Sequence, residues 1–279
     1  MNFALILLFI SAPIMAEILA IYGNDDRQDV YAVTNPQFIE MANSTAAMIS
    51  QEKIKYNGTT ATISEKSLAD MYKLCPSERF RNQPIAATCS GTLIAPDIIM
   101  TAAHCYDLPK QACRDYRWVF DYKVSKESQS SVTVNAQNVY ECEKVIFNEM
   151  NGTYDYALIK LKKSVNDRTF APLSKAQIKV NDPLVLIGHP SGLPTKIAAD
   201  AFVLQVEPTV FVSNVDAFSV NSGSGVFNAS TGEVMGILVS GRMDYESKGN
   251  CSTLKVYDMK EGNESVMRVD KILEFLRKK

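Results

Sequence analysis

Short apolar runs separated by turn-forming residues dominate the sequence from about residue 85 onward. Segments such as AATCSGTLI, IIMTAA and YALIKL are followed by a second set that includes PLVLIG, KIAADAFVLQV and EVMGILVSG. Glycine, proline, asparagine and aspartate interrupt these runs, as is typical of short strands joined by turns. The pattern therefore predicts either antiparallel β-barrels or a β-sandwich.

Two segments depart from this β pattern. Residues 38–55 have a weakly helical character, and the last residues of the chain carry apolar side chains at helical spacing. That spacing predicts a closing amphipathic helix, with Ser265 as its N-cap, that packs its apolar side on the β body. The apolar residues of this predicted helix are Val266, Val269, Ile272, Leu273 and Leu276.

The first twenty residues, MNFALILLFISAPIMAEILA, have the pattern of a secretory signal. An apolar core from Phe3 to Ile10 is followed by small residues, which predicts cleavage after Ala16 or Ala20. No lysine or arginine precedes the core, and the alternative is an uncleaved membrane anchor, although the stretch barely spans a bilayer. We therefore expect a secreted or periplasmic protein with no stable membrane association.

The composition narrows the function classes. The 279 residues are 46% hydrophobic and 22% charged, with a formal net charge of −2, so the composition does not suggest a nucleic-acid or anionic-membrane partner. The composition is that of an ordinary globular protein, and we expect a monomer without nucleic-acid partners.

Six cysteines lie behind the predicted signal, and an even number in an exported chain favours disulfides over metal. The chain has no CxxC pair and only two histidines, so we predict neither a metal site nor another cofactor. Counting alone permits about 15 pairings of six cysteines. The six are Cys75, Cys89, Cys105, Cys113, Cys142 and Cys251.

Three fragments together carry candidate catalytic chemistry: TAAHC with His104, YDYALIKL with Asp155, and VNSGSGVFN with Ser222. A serine hydroxyl is a poor nucleophile unless a histidine accepts its proton and an acid orients that histidine. Taken singly, the histidine is more often structural, and the aspartate and serine are typical turn residues. Taken together, they predict a catalytic triad.

The same fragments resemble the motifs of chymotrypsin-like serine peptidases. TAAHC is similar to the histidine motif and DYALIKL to the aspartate motif, while NSGSGVFN resembles the serine motif of the bacterial glutamyl-endopeptidase-like branch. The resemblance covers roughly residues 85–279 and extends to GHPSGLPTKIA and IYGNDDR. It implies an all-β fold of two antiparallel six-stranded β-barrels with a C-terminal α-helix. We accordingly expect a signal at 1–20, an N-terminal or pro-like segment at 21–84, and the peptidase domain at 85–279.

The resemblance also implies the disulfide pairing. In the family, a bridge joins the strand before the catalytic histidine to the loop after it, and Cys89 with Cys105 fits that bridge. For the other four cysteines we expect Cys113 with Cys142, and Cys75 with Cys251.

Carried onto this sequence, the family's mechanism makes Ser222 the nucleophile, His104 the general base and Asp155 its orienting acid. The oxyanion hole would consist of the backbone N–H groups of Val220 and Ser222. Residues Ser240 and Gly241 would lie on the strand that pairs with the substrate backbone.

Val220 departs from the family pattern, which almost always has glycine at this position. A β-branched residue resists a positive φ, so Val220 either adds strain of about 1–2 kcal/mol or allows the preceding peptide to turn over. A lost oxyanion donor costs about 10²–10³ in kcat. Gly225, where proline is usual, is a milder departure.

A few positions of the sequence bear on the substrate preference. Leu238 stands where glutamyl endopeptidases have the histidine that binds acidic P1 side chains, and we interpret His189, in a GHP turn, as structural. Asp216 lies six residues before the nucleophile, where trypsin-like enzymes place an acid that pairs with P1 arginine or lysine. The alternative for Asp216 is a solvated loop acid. Asn221 replaces the acid that accepts the freed N-terminal ammonium in digestive enzymes, so that activation switch is not expected.

The leading hypothesis is an exported serine endopeptidase that acts on proteins or peptides. The alternative is a catalytically silent relative that uses the same scaffold for binding, which Val220 favours. Esterase activity by the same triad is a third possibility, although the G-x-S-x-G signature of the usual esterase fold is absent around Ser222.

Overall fold

The structure is a computed structural model that describes residues 21–107 and 112–278. The predicted secretory signal, residues 1–20, lies outside the described residues. Within these described ranges, no helix is both long enough and apolar enough to cross a membrane.

Strands make up most of the regular structure. The first eleven are β1 (Ile21–Tyr22), β2 (Gln28–Asp29), β3 (Thr45–Ser50), β4 (Ile54–Asn57), β5 (Thr60–Ile63), β6 (Ala87–Ala95), β7 (Ile98–Thr101), β8 (Tyr116–Phe120), β9 (Val132–Asn135), β10 (Val139–Met150) and β11 (Asp155–Leu161). The others are β12 (Pro183–Gly188), β13 (Lys196–Val206), β14 (Val210–Ser213), β15 (Gly225–Asn228), β16 (Val234–Ser240), β17 (Tyr245–Lys248), β18 (Cys251–Leu254), β19 (Val256–Tyr257) and β20 (Glu264–Arg268).

Helices are few and short. They are α1 (Pro36–Asn43), α2 (Leu68–Tyr72), α3 (His104–Asp107), α4 (Ala112–Asp115) and α5 (Asp270–Lys278). Single 3-10 turns lie at Val30–Ala32, Gln51–Lys53, Ala136–Asn138, Pro190–Gly192 and Met259–Glu261.

The first barrel is a closed antiparallel sheet in the order β10-β11-β7-β6-β3-β8. Its interior is filled by apolar side chains from every strand, with Trp118 almost fully buried. Gly91 on β6 makes room for this ring, because a Cβ at that position would lie 2.7 Å from Trp118 and 2.5 Å from Ile99. The indole N–H of Trp118 donates to the hydroxyl of Tyr106 at 3.0 Å, which satisfies its buried polar atom.

The second barrel contains β12, β15, β16, β20, β14 and β13, and pairing between β12 and β13 closes it. Strand β2 adds to the outside of β13. Apolar residues of all six strands form its core, as expected for a small barrel that is filled by side chains. The prediction of two antiparallel six-stranded barrels with a short C-terminal helix is therefore confirmed.

The stretch 21–84 belongs to the same fold rather than preceding it. Strand β3 lies between β6 and β8 in the first barrel, β2 pairs with β13, and β1 pairs with β19. The expected boundary at residue 85 is therefore wrong, because it separates strands that are hydrogen-bonded to each other. Strand β3 is buried almost throughout, so it lacks the polar–apolar alternation that reveals a strand in sequence.

The C-terminal helix begins later than its sequence pattern predicts. Ser265 is not an N-cap but pairs with Ser240 across strands β20 and β16. Val266 is fully buried in the second barrel, and helix α5 begins at Asp270. The buried residues of β20 and the apolar residues of α5 together have the spacing of a single amphipathic helix, so the sequence pattern did not distinguish the strand from the helix.

Candidate active site

His104 and Asp155 meet because their strands are paired. His104 follows the end of β7, and Asp155 is the first residue of β11, which pairs with β7 through Ala157 and Thr101. The His104 Nδ1 atom lies 2.6 Å from Asp155 Oδ2, and the backbone N–H of His104 donates to Asp155 Oδ1 at 3.0 Å. The carboxylate therefore holds both the ring and the main chain of His104, the arrangement that a general base requires.

Ser222 lies on the loop before β15, and this loop packs against β6. The backbone N–H of Ser90 donates to the Ser222 carbonyl at 2.8 Å, and Cys105 Sγ lies 3.9 Å from the same oxygen. The next residue, Gly223, has φ +80°, and a Cβ there would lie 2.3 Å from the Ser90 carbonyl. The close approach of β6 thus requires glycine and places Ser222 beside the residue that follows His104.

The structure has three disulfide bonds, and they join the same pairs that the sequence analysis names: Cys89–Cys105, Cys113–Cys142 and Cys75–Cys251. The first ties β6 to the turn that carries His104. Within the described residues, Cys89, His104 and Cys105 are the one group of potential metal ligands with closely spaced atoms. Because both sulfurs are in a disulfide, they are not thiolate ligands.

Val220 adopts a positive φ of +73°, the conformation that its side chain resists. In the described structure, neither the N–H of Val220 nor that of Ser222 has a hydrogen-bond acceptor. Two free donors beside a serine fit an oxyanion hole, whose ligand is present only during reaction.

Ser240 is the last residue of β16, and Gly241 lies just beyond the strand. One side of this strand end pairs with β20, whereas pairing with β15 stops at Ile237. The end of β16 therefore presents an open edge of the kind that an extended peptide can join.

Asp216 is buried, and each of its carboxylate oxygens accepts a backbone N–H group. Tyr22 donates to Oδ1 at 2.8 Å, and Asp26 donates to Oδ2 at 3.0 Å. Burial, followed by repulsion from Asp216, raises the pKa of the Asp26 carboxyl. The solvated-loop interpretation of Asp216 is wrong, because this side chain is buried. The carboxylate that was predicted to bind P1 arginine or lysine instead accepts the backbone N–H groups of Tyr22 and Asp26.

Arg27 extends this N-terminal contact. Its guanidinium is buried 3.8 Å from the centroid of the Phe218 ring and forms two hydrogen bonds with the Asp25 carboxylate. Sequence reasoning did not identify Arg27 or Tyr22 as neighbours of the 216–222 loop. The one available signal was the resemblance of IYGNDDR to the same family branch, which carries no information about contacts.

His189, the other histidine, is fully buried and has a structural role. Its backbone N–H donates to Ser90 Oγ at 3.0 Å, while its ring nitrogens lie 3.0 Å from Ser90 Oγ and 3.2 Å from Thr195 Oγ1. Burial, together with the nearby Lys196, lowers the pKa of His189 to about 3, so the ring is neutral at ordinary pH.

Two further residues from the sequence analysis have local structural partners. Leu238 is fully buried, and its carbonyl accepts the N–H of Gly223 at 2.8 Å, which supports the nucleophile loop. The side-chain oxygen of Asn221 accepts a hydrogen bond from Ser224 Oγ at 2.8 Å, which closes the turn around Ser222.

The sequence profile of the trypsin-like peptidase domain matches residues 89–237, which include all three candidate triad residues. This chain belongs to the trypsin-like peptidase domain family. The resemblance to chymotrypsin-like serine peptidases is thereby confirmed.

Among curated proteins, chymotrypsin-like elastase family member 1 from Macaca fascicularis is 34% identical over 87 residues. That match spans 31% of this chain and 31% of the relative, so it covers about a third of either protein.

Solved structures share the fold over most of the chain. A Glu endopeptidase in complex with MPD superposes with a TM-score of 0.54 at 18% identity, covering 93% of this chain and 98% of that one. An inactive mutant form of Rv3671c from M. tuberculosis H37Rv superposes with a TM-score of 0.50 at 13% identity, covering 88% and 92%. At these identities, the likeness concerns the fold alone.

Proposed function

We propose that this trypsin-like domain is an exported serine endopeptidase that cleaves proteins or peptides through an acyl-enzyme intermediate. Ser222 attacks the scissile carbonyl, and His104 takes the serine proton and returns it to the leaving amine. Asp155 fixes the imidazole tautomer and stabilises the charged ring, while the N–H groups of Val220 and Ser222 bind the oxyanion.

The double contact between His104 and Asp155, beside the Ser222 loop, carries this proposal. A structural ion pair needs only one hydrogen bond, whereas here Asp155 orients the ring at 2.6 Å and holds the main chain at 3.0 Å. The side chains are about a quarter exposed, at 25% for His104 and 22% for Asp155, so substrate has access to the ring.

Labelling with a peptidyl phosphonate tests this proposal, since such reagents modify only serines that a base activates. We expect one modified residue, Ser222, with no labelling of Ser222→Ala or His104→Ala. Ser230→Ala, at an exposed serine outside the site, is the matched control and should label like wild type. Absence of labelling in the mature wild-type protein would exclude the proposed serine peptidase activity.

That negative result would favour the second candidate, a catalytically silent binding protein. The observation behind this alternative is the positive φ of Val220, a valine where the family resemblance implies glycine. A silent protein would still bind extended peptides at the open edge of β16, so it would bind a peptide library without cleaving it.

Export and P1 preference form the remaining parts of the proposal. Three disulfides support an oxidising compartment, and mass spectrometry of the mature protein should find its N-terminus after Ala16 or Ala20. Cleavage mapping on a peptide library defines the P1 residue. Because both oxygens of Asp216 already have partners, this carboxylate is not included as a P1 ligand.

A further inference from the structure

The peptide between Ser219 and Val220 supplies one of the two candidate oxyanion donors, and its orientation decides whether that donor is available. Rotating this peptide by half a turn would reverse its N–H and move the φ of Val220 from +73° to the negative range. Valine prefers that range, whereas glycine does not distinguish between the two. The sequence at position 220 therefore favours the orientation without the donor.

Contacts on both sides of Ser219 hold it in place, one at the rotating peptide itself and the other at the peptide before it. The Ser219 carbonyl accepts the backbone N–H of Ser191 at 2.6 Å. Because the peptide is trans, its N–H points away from its carbonyl, so the Val220 N–H faces away from Ser191 and has no acceptor in the described structure. The Ser219 N–H, which belongs to the preceding Phe218–Ser219 peptide, donates to the Asp244 carboxylate, at 3.0 Å to Oδ2 and 3.3 Å to Oδ1. Asp244 therefore fixes the residue about which the next peptide would rotate.

The two contacts are themselves linked. Ser191 lies in the buried turn Pro190–Gly192, and its hydroxyl lies 2.9 Å from the hydroxyl of Tyr245, the residue that follows Asp244. The turn is fixed at its base, where the Gly192 carbonyl accepts the N–H of Ala86 at 3.0 Å. Residues 191 and 244 thus approach Ser219 from opposite sides as one connected unit.

We propose that Ser191 and Asp244 form a clamp that holds the Ser219–Val220 peptide with its N–H available to the oxyanion, and that Asp244 is a positioning residue for catalysis. The clamp is what permits valine at a position that otherwise requires glycine. This inference rests on the proposed peptidase function and adds to it a reason why Val220 does not abolish the oxyanion hole.

The test is a double-mutant cycle of Asp244→Ala and Val220→Gly, measured as kcat and KM on a peptide that wild type cleaves. Without the carboxylate, the strain of a left-handed valine favours the rotated peptide by about tenfold, so Asp244→Ala should lower kcat by about tenfold and leave KM within about threefold. Val220→Gly should restore most of that loss in the Asp244→Ala background, with the kcat of Val220→Gly alone as the reference for the double variant.

Two further variants separate positioning from folding. Asp244→Asn retains an oxygen that can accept the Ser219 N–H, so its kcat should stay near wild type. Glu246→Ala, at an exposed acid two residues later, is the matched control and should leave kcat unchanged. If Asp244→Ala does not fold, Tyr245→Phe replaces it, because this change removes only the hydroxyl that contacts Ser191.

Additive effects of Asp244→Ala and Val220→Gly, or a loss of kcat that Val220→Gly does not restore, would overturn the clamp. An active wild type with an unaffected Asp244→Ala variant would overturn the clamp and leave the peptidase function intact. If phosphonates do not label Ser222 in the wild-type protein, both the clamp and the peptidase function are overturned.

Discussion

The carboxylate of Asp216 accepts the backbone N–H of Tyr22 at 2.8 Å, although 194 residues separate the two in sequence. Its other oxygen accepts the N–H of Asp26 at 3.0 Å. The N-terminal segment is therefore tied to the loop that carries Ser222, six residues after Asp216. The conformation of the 216–222 loop therefore depends on residues 22–26, which the sequence analysis assigned to a segment before the peptidase domain.

Replacing Asp216 should therefore affect stability more than P1 preference. Asp216→Ala leaves one buried and one partly buried N–H group without acceptors, and we expect the free energy of unfolding to fall by about 2 kcal/mol or more. Asp216→Asn keeps one acceptor oxygen and relieves repulsion with Asp26, so its loss should be smaller. Urea denaturation measures both. An Asp216→Ala variant with wild-type stability that loses only cleavage after arginine or lysine would instead identify Asp216 as the P1 acid.

Asp155→Asn should remove most catalysis without unfolding the protein. The amide oxygen can still accept the His104 backbone N–H, but an amide on the ring side favours the wrong imidazole tautomer. We expect kcat to fall by about 10⁴-fold with little change in KM. A loss below about tenfold, measured under saturating substrate with thermal stability as the control, would show that Asp155 does not orient the base.

Much of the site was predictable because its residues lie in local motifs. His104, Asp155 and Ser222 each lie in a short fragment whose flanking residues are restricted by the geometry of the site. Gly223, beside Ser222, is an example, because β6 approaches it too closely for any side chain. The barrels were predictable for a similar reason, since short apolar runs broken by turn residues have few other solutions.

The rest depends on contacts between distant segments, for which the sequence contains no local signal. Strand β3 escaped prediction because it is buried on both faces. Asp216 looks the same in sequence whether it faces a P1 side chain or the N–H of Tyr22. Likewise, no local pattern places Ser191 and Asp244 on either side of Ser219.

The three disulfides should separate stability from activity. The Cys75–Cys251 bridge closes a span of 176 residues and the Cys89–Cys105 bridge a span of 16. In the chain-entropy model, removing the long bridge costs about 5 kcal/mol and removing the short one about 3 kcal/mol. The short bridge, however, fixes the turn that carries His104.

We therefore expect the Cys89→Ala/Cys105→Ala pair to lose more kcat, and the Cys75→Ala/Cys251→Ala pair to lose more unfolding free energy. Activity is compared at a temperature where both variants are folded, as judged by circular dichroism. A larger loss of kcat in the Cys75→Ala/Cys251→Ala pair would contradict a positioning role for the short bridge.

Asp244 should also leave a pH signature in the stability of the fold. Burial raises the pKa of its carboxyl to about 7, against which hydrogen bonds from Ser219 and the charge of Arg27 act to lower it. Burial is the main cause of the raised pKa values of Glu264, Tyr245 and Tyr72, and repulsion from Asp244 adds to each, so these three groups and Arg27 all face Asp244. Between the ordinary pKa of an aspartate and pH 7, the folded state holds a proton on Asp244 that the unfolded chain has released.

Because the folded state binds the extra proton, this group stabilises the fold at low pH, and its contribution is lost as the pH rises to about 7. Between pH 5 and 7, the unfolding free energy of wild type should therefore fall relative to that of Asp244→Asn, by up to about 1.4 kcal/mol per pH unit. Above pH 8 the two curves should run parallel. Taking the difference between the two proteins cancels the opposite contribution of His189, whose lowered pKa makes the fold less stable as the pH falls below its ordinary value. Parallel curves from pH 5 onward would mean that Asp244 is already ionised in the folded protein, and its contact with Ser219 would then be equally strong across this range.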